Sequence, residues 1–212
     1  RYNGETVQTE TLDVINQLRG EGSSPYLPIV RQEGEAVVSS GTAVFSGDQL
    51  VADLDERETR GLLLLNGRLR NGTAVVESPE IGRVTLELEE AKTQITPQVA
   101  GETLHFLIEV KGGATIGAAD MPSGRSLDNK MYEEVGELLE EQLKQNCEEV
   151  IAACIQENHS DIFNFGRRVY QTYPSYWKQH GTNWNEEMAE AGYEVHVEIQ
   201  LRRGGQEITG LQ

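Results

Sequence analysis

The apolar residues of this chain change period near its middle. From Ala36 the pattern is that of strands: residues 36–40, 42–45 and 49–52 are rich in Val, Ala and Leu, and Ser46-Gly47-Asp48 supplies a turn before the last of them. Asp55-Glu-Arg-Glu-Thr-Arg60 sets acids before bases across about one and a half helical turns, which suits a short helix and its dipole, with Gly61 as its end. Residues 62–69 and 73–77 read as two strands joined at Asn71-Gly72, a hairpin signal. Residues 83–95 alternate through Val84, Leu86 and Leu88, and 103–110 through Leu104, Phe106, Ile108 and Val110, so each presents one apolar face. A glycine-rich loop over 112–124 closes this half.

In the second half Met131, Val135, Leu138, Leu139, Leu143, Cys147, Val150, Ile151, Cys154 and Ile155 recur every three or four residues, the spacing of an amphipathic helix. It is expected over 127–157, about 45 Å long, with Asp128 as N-cap. A second helix should run from Ser160 to Tyr173 before Pro174 breaks it, and a third piece should carry Trp177 and Trp184 as far as Ala191. The final strand has Tyr193, Val195, Val197, Ile199 and Leu201 on one face and Glu194, His196, Glu198, Gln200 and Arg202 on the other. Strands, then helices, then one returning strand is an α+β order. The expected architecture is a largely antiparallel sheet packed against a long amphipathic helix, with shorter helices following. Residues 1–35, with one helical pattern at Leu12, Ile15 and Leu18 and breakers over 20–25, are assigned to the end of a preceding domain or a linker. Residues 36–205 are assigned to the α+β domain and 206–212 to a tail.

Charge narrows the function classes. Asp and Glu number 35 against 18 Lys and Arg, a net charge of -17, so nucleic acid and anionic lipid surfaces repel the chain as a whole. No run of about 18 apolar residues exists that would make a spanning helix. The opening on Arg1-Tyr2 suggests a fragment of a longer precursor. The cysteines, Cys147 and Cys154, lie roughly 10 Å apart on one helix, too far to bridge each other, and read as buried thiols on the apolar stripe.

The search for chemistry finds little. Lys111-Gly-Gly-Ala-Thr-Ile-Gly117 places its Lys before the glycines, whereas a phosphate loop needs Lys and Ser or Thr after them, so no nucleotide cofactor is expected. Glu194, His196 and Glu198 share one strand face and have metal-binding side chains, yet alternating charged residues are the usual solvent face of a strand. No catalytic residue, cofactor or metal is assigned. Paired acids such as Asp53 and Asp55 arise by chance in so acidic a chain.

Four stretches, in order and spacing, resemble the C-terminal domain of Ger(x)C spore germination lipoproteins. They are Gly41-Thr-Ala-Val-Phe45 with the following Leu50 to Leu62 segment ending Glu58-Thr-Arg-Gly61; the acidic helix with Ser160-Asp-Ile-Phe-Asn-Phe-Gly166; Tyr173-Pro174 with Trp177 and Trp184; and the closing strand ending in Arg202-Arg203. Asn164 and Ala52 stand where the family commonly has Gly. The resemblance implies a non-catalytic subunit of a nutrient germinant receptor, with integral membrane subunits as partners and an N-terminal lipid at the spore inner membrane. The family brings no catalytic residues to carry over. Thr59, Arg60, Gly61, Phe163 and Phe165 read as fold makers, or else as part of a partner-binding patch. A candidate partner surface is the strand face Glu194, His196, Glu198 and Arg202. The alternative is a soluble hydrolase or small-ligand carrier on a similar scaffold.

Overall fold

The structure, a computed structural model, describes residues 6–19, 23–121 and 128–202. Helix α1 (Thr11–Arg19) precedes an antiparallel sheet of β1 (Tyr26–Glu33), β2 (Ala36–Ser46) and β3 (Gln49–Leu54), paired in that order. The two strands read at 36–40 and 42–45 are one. Gly41 lies inside it at φ +131°, where an added Cβ would sit 2.1 Å from the Leu54 carbonyl oxygen, so only glycine admits this approach of β2 to the end of β3.

The expected strand at 62–69 is corrected: helix α2 (Glu56–Leu65) runs straight through Gly61. Four successive leucines carry no period of their own, and the helix is started firmly by a capping box. Asp55 Oδ1 accepts from the Arg57 and Glu58 backbone N–H at 2.8 and 2.9 Å, and Glu58 Oε2 accepts from the Asp55 N–H at 2.8 Å. The Asn71-Gly72 hairpin falls with that strand, since Gly72 opens a strand that follows a helix.

The larger sheet has five strands. β4 (Gly72–Ser78) pairs with β5 (Gly82–Leu88), while β5 and β6 (Lys92–Ala100) pair with successive parts of β7 (Thr103–Asp120), all antiparallel. Leu88 faces Ala114 and Lys92 faces Lys111, so β5 and β6 form one run along β7 interrupted by a bulge at 89–91. The expected glycine-rich loop is thus a strand as far as Asp120. Small residues are needed there because a Cβ at Gly113 would lie 2.7 Å from Glu89 Oε2 and one at Gly112 3.3 Å from the Ala91 Cβ. The remainder of that loop, 122–127, lies outside the described residues. Strand β8 (Gly192–Arg202) adds in parallel to the opposite edge of β7.

Helix α3 (Asn129–Ile151) starts as read, with Asp128 accepting the Met131 N–H at 2.9 Å, and ends in a π-helical turn, Ala152–Glu157. It lies against α2, β4 and β8, and buries Val135, Leu139, Leu143, Cys147, Val150, Cys154 and Ile155. The helix expected from Ser160 begins only at α4 (Phe165–Thr172), because 160–164 form a turn. Pro174 opens α5 (Pro174–His180) at the first-turn position that tolerates a missing N–H. The third piece is split by a 3-10 turn, Gly181–Asn183, before α6 (Trp184–Glu190). Among the described residues no helix is long and apolar enough to cross a membrane.

Candidate functional site

The motif residues sit at two buried corners. At the first, Thr42 and Thr59 hydroxyls hydrogen-bond at 3.1 Å with neither side chain exposed, tying β2 to α2. Arg60 reaches across to donate from Nη2 to the Thr73 carbonyl of β4 at 2.9 Å. Gly61 is where α2 touches α3: a Cβ there would fall 2.1 Å from the Asn146 carbonyl oxygen. Thr, Arg and Gly therefore act in turn on a sheet, a second sheet and a helix.

At the second corner the buried Asp161 carboxylate accepts the backbone N–H groups of Phe163, Phe165 and Gly166 at 3.2, 3.0 and 2.7 Å. It also takes the Trp184 indole N–H of α6 at 3.1 Å. Burial pushes this carboxyl up, and the N–H donors around it act the other way. The turn needs Asn164 in the left-handed region at φ +61°, which Gly adopts freely and Asn tolerates, so Asn in place of the family's usual Gly keeps the geometry. Phe163 and Phe165 are carried into the core, where Phe165 packs on Phe106 and Tyr193 at ring separations of 4.6 and 5.3 Å. Ser160 Oγ donates to the Phe45 carbonyl at 2.9 Å, and the Ser24 N–H to the Asp161 carbonyl at 2.7 Å, so the turn also fastens the small sheet.

Cys147 and Cys154 are buried free thiols, pushed up by burial with nearby Glu148 and Glu58 adding to it, the opposite of an activated nucleophile. A half-buried cluster escaped the sequence reading: Tyr176 donates its hydroxyl to Glu187, which also meets His180 Nδ1 at 3.0 Å, and the Tyr176 and His180 rings stack. The signal was the one-turn spacing of Tyr176 and His180 on a helix too short to show a period. The cluster pins α5 to α6.

Glu194, His196, Glu198 and Arg202 all lie exposed on the solvent face of β8. They do not converge. His196 Nε2 is 2.8 Å from Glu194 Oε1, and His105 of β7 approaches the other Glu194 oxygen at 3.5 Å; these imidazoles pull Glu194 below its ordinary value. Lys111 Nζ lies 2.9 Å from Glu198, and Arg202 lies 3.0 Å from Glu89 in the bulge. The face is a row of ion pairs that β8 makes within itself, with β7 and with the bulge.

The family model described as spore germination B3/GerAC like, C-terminal, matches residues 40–205. The chain belongs to the Ger(x)C family. Among similar Ger(x)C proteins, the spore germination protein YndF of Bacillus subtilis (strain 168) is 26% identical over 184 residues, covering 84% of this chain and 45% of YndF. Spore germination protein KC of the same organism is 21% identical, covering 95% of this chain and 54% of its own length. The crystal structure of the GerBC protein shares the fold at a TM-score of 0.76 and 18% identity, covering 88% of this chain and 58% of that one. The chain thus spans about half the length of the relatives it matches. As in the expectation, the fold is α+β, with antiparallel sheets and a long helix.

Proposed function

We propose that this chain is a non-catalytic portion of a nutrient germinant receptor subunit, acting through protein contacts with integral membrane subunits at the spore inner membrane. In the full-length protein an N-terminal lipid would supply the membrane attachment, since a surface of net charge -17 gains nothing from anionic headgroups. The family's own motif residues support this reading. Thr59, Arg60, Gly61, Asp161, Phe163 and Phe165 are buried and hold elements together, the work of residues that build the fold. The polar face of Glu194, His196, Glu198 and Arg202 remains as a rigid surface for a partner, backed by the β7–β8 ladder. Deleting the gene from its host should slow germination triggered by nutrients and spare germination by a trigger that bypasses receptors; no change in either would overturn the role. Reversing Glu198→Lys and Arg202→Glu together should impair receptor assembly, and unchanged assembly removes this face from the contact.

A further inference from the structure

We propose that the free edge of β8 is a docking site for an extended, lysine- or arginine-bearing segment of a partner protein, which adds to the sheet as a further strand. The proposal rests on the reading of this domain as an interaction module and names the chemistry of its contact. Strand β8 pairs only with β7 among the described residues, in a ladder without register shifts from Gly192 to Arg202. Alternate residues of such a strand turn both backbone groups to the same side. Ile199 fixes the phase: its N–H points outward and donates at 2.8 Å to Glu140 Oε1 of α3. Val195 and Val197 are in the same phase, so their N–H and C=O groups also point away from β7, and among the described residues nothing hydrogen-bonds them on that side. Glu140 therefore shows what the edge accepts, since its carboxylate oxygen sits where the carbonyl of an added strand would sit.

The charge of the occupant follows from the opposite wall. A groove of about 420 Å³ runs between this edge and α3, whose Glu137, Glu140, Glu141 and Glu148 all line it. Lys144, the one lysine or arginine among its described lining residues, lies 3.8 Å from Glu148, and His196 pairs with Glu194. An extended segment with alternate basic side chains would pair its backbone with Val195 and Val197 and its charges with the glutamates, whereas an acidic segment would be repelled. Sequence alternation on the partner suffices for this recognition.

The test uses this chain with a short capped peptide alternating lysine and threonine, against the same peptide N-methylated at alternate amides, which keeps the charge and loses the strand hydrogen bonds. At about ten times its Kd the unmethylated peptide should slow amide exchange at Val195 and Val197 roughly tenfold. Val197→Pro removes an outward N–H without removing a rung to β7 and should abolish the protection. Should that variant misfold, Glu137→Lys with Glu141→Lys, both at exposed positions, should weaken peptide binding at unchanged fold. Equal binding of both peptides, or binding without protection at Val195 and Val197, would overturn the proposal, as would no binding at all. Those results leave the germination role standing, and a deletion strain with normal germination would leave a positive peptide result standing.

Discussion

The larger sheet ends on β8 at one side and on β4, followed along β7 by β6, at the other, and the β4 and β8 edges are finished differently. On β4 the carbonyls of Thr73 and Val75, two residues apart and so turned the same way, are taken by Arg60 of α2 and Gln142 of α3 at 2.9 and 3.3 Å. Both helices thus close that edge with side chains, one of them a buried cation. On β8 α3 reaches the edge once, through Glu140, and the rest is bordered by an acidic groove. Unpaired edges invite association unless they are covered. The difference teaches that the family's Glu-Thr-Arg-Gly motif belongs to the closed edge, where its side chains serve stability, while the open edge presents backbone groups of the closing strand.

The largest expected effect strikes the closed edge at its hinge. Gly61→Ala forces α2 and α3 apart where both caps originate, and should lower stability by about 3 kcal/mol, or roughly 6–12 °C in Tm. Arg60→Met keeps the bulk and strips the charged donor from Thr73; urea unfolding should show a loss of about 2 kcal/mol. Gln142→Met removes a neutral, partly buried bond and should register about 0.5–1 kcal/mol by the same measurement. At the open edge Glu198→Lys with Arg202→Glu should change stability by less than about 0.5 kcal/mol, because exposed ion pairs contribute little. A destabilisation at β8 equal to that at Arg60 would erase the distinction between the two edges.

What could be read from the sequence depended on periodicity. β7 through Val110, α3 with its Asp128 cap, and β8 with its two faces all alternate or repeat cleanly and appear in the structure as expected. Leu62–Leu65 is a run without period, so nothing in it distinguishes a buried helix from a buried strand, and the capping box at Asp55 and Glu58 was the cue that decided it. Gly61 was read as a helix end by its usual preference, when its role is the contact with Asn146, a residue 85 positions later. Glycines 112, 113 and 117 looked like a loop for the same reason: the bulge and the strand that require them small are distant in the chain. Asp161 was legible as part of a motif, and its role as acceptor for a whole turn required coordinates. Likewise the strand face of β8 was legible, while its edge was not, since an edge is defined by which partners are missing.

The β7–β8 ladder also sets an order of assembly. β4 to β7 are joined by turns of a few residues, whereas Phe106 meets Tyr193 only after 87 intervening steps along the chain. Loop closure on that scale is paid for late, so the antiparallel meander should gain amide protection during refolding before β8 does. The strand that completes the sheet is then the one that offers its free side, and a partner recognising that side would be selecting molecules that have finished folding.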